Sequence, residues 1–92
     1  KMSHKIYALC DLKLLAKHNL SISQYIQQIS KYNIVLIQYR DKINDIQIQK
    51  QNLKLLKDLT NIPIIINDKL QLLDFCDGLH LGQEDLNRYL QN

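Results

Sequence analysis

Three short apolar runs open at Ile6, Ile34 and Ile62, evenly spaced by 28 residues, and each gives way to a helix-forming stretch. A recurrence at this interval is what tandem βα units produce. Alternating strands and helices confine the chain to parallel strands joined by right-handed crossovers. The reading is an α/β chain of about four such units filling residues 1–92 as one partial domain.

Lys5–Asp11 is a strand by its length and its β-prone Ile6 and Tyr7. Its terminal Asp11 reads as structural, holding a neighbouring loop or lysine. The next segment makes a helical turn and leaves His18 to solvent. Ser21 or Ser23 caps a helix whose Ile22, Tyr25, Ile26, Ile29 and Tyr32 recur at helical spacing and predict a buried face. Ile34–Ile37 is uninterrupted in its apolarity, as in sheets covered on both faces. From Asp45 to Leu59 the pattern is helical in its second half, with Leu53, Leu55, Leu56 and Leu59; its first half fits helix or strand, and a parallel crossover requires a helix. Ile62–Asn67 is a third strand with Pro63 at its beginning. Lys69–Phe75 follows as a short helix burying Leu70, Leu73 and Phe75, and Leu79–Leu81 as a fourth strand. The two glycines, Gly78 and Gly82, bracket that strand and signal close approach of backbone or ligand. Asp85 then caps a last helix with Leu86, Tyr89 and Leu90 inside.

Polar residues gather where these strands end, the end at which parallel sheets bind ligands. Side chains alternate along a strand, so Leu36, Gln38, Arg40 and, with the strand extended, Lys42 share a face opposite Ile37, Tyr39 and Asp41. Such a row is costly to bury without a ligand. A frayed strand end would instead pair Arg40 and Lys42 with Asp41 or water. Asn67 and Asp68 end the third strand, and Gly82 to Asp85 follow the fourth. With parallel neighbours about 5 Å apart, Asp68 and Asp85 are within reach of one hard cation such as Mg2+. Two helix caps would account for the same pair.

An apolar fraction of 46% and a charged fraction of 23% are those of a globular chain. The net charge of +3 is modest and its lysines are scattered, which argues against a nucleic-acid partner. No apolar run approaches the roughly 18–20 residues that span a bilayer, and no signal-peptide pattern opens the chain. The expectation is a cytoplasmic protein without membrane contact. Cys10 and Cys76, far apart and without a CxxC, read as buried reduced thiols. Met2 is preceded by Lys1, so the chain reads as a cropped or processed stretch.

Three segments stand in order as Gln38-Tyr39-Arg40-Asp41-Lys42, Asn67-Asp68-Lys69 and His80-Leu81-Gly82-Gln83-Glu84-Asp85. Together they resemble the thiamine-phosphate synthase family, whose corresponding motifs read QLREK or QLRDK, NDD or NDR, and HLGQED. The resemblance covers essentially all of this chain but only about the amino-terminal half of such an enzyme. It implies the first half of a (βα)8 TIM barrel and a transferase of thiamine biosynthesis. The implied reaction joins hydroxymethylpyrimidine diphosphate to thiazole phosphate in a Mg2+-dependent, dissociative substitution that releases pyrophosphate.

Carried over by position, Asp68 and Asp85 would be metal ligands, and Gln38, Arg40, Lys42 and Asn67 would hold the pyrimidine diphosphate. His80 either lines the pyrimidine pocket or packs in its strand, and Glu84 receives no role. Lys69 stands where the family has Asp or Arg. The family's later Gly- and Thr-rich phosphate loops, serine and lysine have no counterpart, so the chain alone is expected to be inactive. Two alternatives remain. One is a thiazole tautomerase of the same fold, against which the intact HLGQED speaks. The other is a non-catalytic half-barrel that self-associates through its open sheet edges.

Overall fold

The structure is a computed structural model and describes residues 5–67 and 69–80. Four strands, β1 (Ile6–Asp11), β2 (Ile34–Arg40), β3 (Ile64–Asn67) and β4 (Gly78–His80), form one sheet in the order β1-β2-β3-β4. Every neighbouring pair is parallel, so each connection must cross over the sheet. Helices α1 (Leu12–Lys17) and α2 (Ile22–Ile29) join β1 to β2, α3 (Ile46–Leu59) joins β2 to β3, and a 3₁₀ segment, Leu70–Phe75, joins β3 to β4. This is the first half of a TIM-barrel-like fold, as the sequence implied.

Local chemistry fixes where the helices begin. Asp11 accepts from the Lys13 and Leu14 amides and caps α1, the structural role expected of it. Ser21, rather than Ser23, caps α2: its hydroxyl accepts from the Gln24 amide while the Gln24 side chain accepts from the Ser21 amide. Asp45 accepts from the Ile48 amide, and the ambiguous stretch after it is helical.

The described helices lie on one face of the sheet. Cys10, Ile37, Tyr39, Ile64 and Ile66 point into that layer and share a core with Leu15, Ile26, Leu53, Leu56 and Leu72. On the opposite face, Tyr7 is 69% exposed and Leu9 45%. The apolar run at Ile34–Ile37 is therefore covered on one side only by the described residues, with Ile37 fully buried and Leu36 half-buried.

Several sequence expectations are corrected. Tyr32 is exposed, because α2 stops at Ile29 and the chain turns before the tyrosine can reach the core. Leu70 and Leu73 are also exposed, while Leu72 is fully buried. A 3₁₀ helix has about three residues per turn, which aligns Leu72 with the half-buried Phe75 and turns Leu70 and Leu73 outward. In α3 the inward residues are Gln49, Leu53 and Leu56, whereas Leu55 and Leu59 are exposed.

The third strand begins at Ile64 rather than Ile62. Pro63 has no N–H to give the ladder, and contributes its carbonyl to the Ile37 amide at 2.9 Å. A Cβ at Gly78 would stand 3.0 Å from Ile65 Cγ2, so this glycine does permit close approach of β4 to β3. Leu81, Gly82 and the helix expected around Leu86, Tyr89 and Leu90 lie outside the described residues. Both cysteines are free, Cys10 buried and Cys76 half-buried. Among the described residues no helix is long and apolar enough to cross a membrane.

Candidate functional site

At the carboxyl ends of β2 and β3 a cavity of about 370 Å³ opens beside Arg40, Lys42, Asn67 and Lys69, with Tyr39 and Leu72 toward its floor. Strand alternation delivers part of this set. Arg40 and Asn67 stand on the face that the described helices leave open; Gln38 and His80 share that face without lining the cavity, and His80 is the exposed register partner of Asn67. Gln38 Nε2 donates to Asn67 Oδ1 at 2.9 Å, which ties the two neighbouring strands and orients both amides.

Lys42 belongs to the site but not to the strand. β2 ends at Arg40, and the expected Gln-x-Arg-x-Lys row becomes two strand residues followed by an exposed loop lysine. Asp41 is the cause. Its side chain turns to the covered face, 5% exposed, where Oδ1 accepts from the Ile43 and Asn44 amides and closes a tight turn. Its Oδ2 accepts from the Tyr39 hydroxyl at 2.5 Å and from Asn44 Nδ2 at 2.8 Å. Asp41 is thus no counter-charge for Arg40 or Lys42, as a frayed strand end would have made it.

Burial alone would raise the Asp41 carboxyl, but hydrogen bonds from Tyr39, Asn44 and the Ile43 amide hold it below the usual carboxylate range. Burial, reinforced by the bond to Asp41, pushes the Tyr39 hydroxyl far above its ordinary value. The phenol stays protonated, donating to Asp41 and accepting from Asn52 Nδ2 at 3.0 Å.

The cations are differently engaged. Arg40 Nε lies 3.9 Å from Asp11 Oδ2, a loose pair between an exposed guanidinium and a half-buried carboxylate, of small worth. Lys42 has no hydrogen-bond or ion-pair partner among the described residues. Lys69 Nζ donates to the Asp41 carbonyl and to Gln49 Oε1, both at 3.0 Å. Two weakly neutralised cations at the mouth of a cavity favour an anion, which Arg can grip in a fork and Lys as a point charge.

Asp41, Gln49 and Lys69 escaped the sequence reading as parts of this site. A signal existed for two of them: Asp41 and Asn44 have turn-forming chemistry, and Gln49 occupies a helical position in step with Leu53 and Leu56. Nothing local marks Lys69. Asp68 and Asp85, the expected metal ligands, and Glu84 lie outside the described residues. Among those described, no group of three or more His, Cys, Asp or Glu side chains could hold a metal ion.

Comparison with known proteins adds an independent line. Residues 6–90 match a family model described as thiamine monophosphate synthase. The chain is 33% identical over 90 residues to a thiamine-phosphate synthase of Clostridium acetobutylicum, covering 92% of this chain and 42% of that protein. It is 33% identical over 88 residues to one of Dictyoglomus thermophilum, covering 89% and 38% respectively. For one of Ruminiclostridium cellulolyticum the identity is 31% over 91 residues, covering 94% and 42%. The chain thus spans about two fifths of the length of these relatives. No solved structure gives a significant match.

Proposed function

Because this chain belongs to the thiamine monophosphate synthase family, we propose that it supplies the pyrimidine diphosphate side of a thiamine-phosphate synthase site. Residues 1–92 then form a partial TIM-barrel domain, and the whole protein joins hydroxymethylpyrimidine diphosphate to thiazole phosphate with release of pyrophosphate. The observation that carries the reading is the cavity at the strand ends, where Arg40 and Lys42 stand with little counter-charge among the described residues.

In this reaction the bond between the pyrimidine methylene carbon and the diphosphate oxygen breaks, and its electron pair leaves with the diphosphate. The thiazole nitrogen lone pair then forms the new carbon–nitrogen bond. Arg40 and Lys42 offset the charge that builds on the departing oxygens, an effect strengthened where water is partly excluded. Gln38 and Asn67, already bonded to each other, present an amide carbonyl and an amide NH2 to the edge of a heterocycle. His80 stands on the same face and borders the ring.

The donor set fits Mg2+: Asp68 follows Asn67 in the chain, Asp85 follows the fourth strand, and two carboxylates supply the hard oxygens that ion prefers. These two residues would hold it, and it would supply further neutralisation of the diphosphate. Turnover also calls for a thiazole phosphate seat, for which the described residues offer no candidate.

Calorimetric titration with inorganic pyrophosphate in the presence of Mg2+ tests the reading. Saturable binding is expected, weakened about 10- to 100-fold by Arg40→Met or Lys42→Met, since each removes charge-assisted bonds worth about 1.5–3 kcal/mol. Absence of saturable binding by the unaltered chain at millimolar pyrophosphate refutes it. The exposed Tyr7 and Leu9 on the open sheet face favour a second reading, self-association through that face and the β1 and β4 edges. Sedimentation showing stable dimers that ignore pyrophosphate would select it.

A further inference from the structure

Of the three cations lining the cavity, Lys69 is the one whose ammonium is already committed within the fold. It reaches from the segment after β3 across 28 residues to the carbonyl of Asp41, the residue between Arg40 and Lys42. Its second acceptor, Gln49 Oε1, belongs to the first turns of α3, where Gln49 is 3% exposed. The other end of the Gln49 amide donates to the Asn44 carbonyl at 2.8 Å. Lys69 and Gln49 therefore grip the β2–α3 loop at both of its ends, at Asp41 and at Asn44.

From this geometry we infer that Lys69 is a positioning residue: it clamps the loop that follows Arg40 and carries Lys42 against the end of β3, where Asn67 stands. An ammonium bound to two oxygens, one of them on a buried side chain, makes charge-assisted bonds that hold a loop more firmly than neutral ones. A loop held in place before the anion arrives is spared the ordering cost that each freely moving, rotamer-rich side chain would otherwise bring to binding. The part of this inference that concerns the anion rests on the reading of the cavity as a diphosphate site. The clamp itself stands on the contacts alone.

Two variants separate the clamp from plain electrostatics. Lys69→Met removes both the charge and the clamp, whereas Gln49→Leu removes the acceptor and leaves all three cations in place. Both are expected to weaken inorganic pyrophosphate binding, by about 10-fold and about 5-fold respectively, and Lys69→Arg is expected to recover most of the loss. Amide hydrogen exchange at Ile43 and Asn44 should accelerate in both Lys69→Met and Gln49→Leu, while exchange at Leu53 and Leu56 in the body of α3 stays unchanged. The clamp is overturned if exchange at Ile43 and Asn44 is the same in all variants. It is also overturned if Lys69→Met alone loses pyrophosphate while Gln49→Leu binds normally, which would make Lys69 a direct ligand. An unaltered chain that ignores pyrophosphate would sink the diphosphate reading, and the exchange measurement would still decide the clamp.

Discussion

Replacing Asp41 by Asn changes one oxygen to an NH2 group and little else in shape, so its effect isolates the carboxylate at the centre of the β2–α3 turn. With the carbonyl kept toward the Ile43 and Asn44 amides, the new NH2 faces the Tyr39 hydroxyl and Asn44 Nδ2. The Tyr39 hydroxyl can rotate and accept. Asn44 Nδ2 cannot, and two donors are left opposed. Hydrogen bonds to a charged group contribute about 1.5–3 kcal/mol each, and the two on Oδ2 are not independent, so the expected loss is about 3 kcal/mol. For a domain of this size that lowers Tm by roughly 12–24 °C.

The pH dependence follows from the same contacts. Asp41 is held below the ordinary carboxylate value, so its stabilisation is complete above about pH 4 and is lost as pH falls through its own lower value. Thermal melts of both proteins from pH 7 to pH 2 should converge toward the acid end, with a flatter limb for Asp41→Asn. Some acid sensitivity should persist in the variant. The Ile64 amide and Lys57 hold Asp77 below its usual range in the same direction. A variant within about 0.5 kcal/mol of the parent at pH 7, the scale of ordinary surface changes, or with an unchanged acid limb, would refute the account of the turn.

Leu53→Ala empties a fully buried position where α3 meets the sheet and should cost about 2–5 kcal/mol in urea unfolding; Leu55→Ala, 39% exposed on the same helix, should cost much less, and equal losses would contradict the placement of the core. In the native chain at pH 8, iodoacetamide should modify Cys76 well before Cys10, whose thiol is pushed up to about 12 by burial and by the nearby Asp11 and Asp41. Equal labelling rates by mass spectrometry would contradict the burial of Cys10.

Most of the architecture was legible because it is written in local rules. The order of strands and helices, a cap at Asp45 and another at Ser21 or Ser23, and the switch from apolar Ile37 to polar Gln38 and Arg40 each depend on a few neighbouring residues. The candidate site was half legible. Alternation correctly put Gln38 and Arg40 on one face and Asp41 on the other, but extended the row to Lys42, because nothing in a two-residue period reveals that Asp41 will fold back on its own amides. Tyr32, Leu70 and Leu73 failed for a related reason: helical spacing was continued past the point where the backbone changed pitch or stopped.

By itself, then, the sequence determined the number and order of the strands, their parallel sense, and the end of the sheet at which polar residues meet. These follow from periodicity, chirality and chain length, which are properties of the chain before it packs. Only the tertiary structure decided that Asp41 stabilises a turn instead of neutralising Arg40, and that Gln49 is buried. It alone brought Lys69 to the loop between β2 and α3. Those outcomes depend on which groups burial strips of water, and a buried donor or acceptor must find its partner wherever the fold has put one, at 20 or 28 residues' remove as readily as at two.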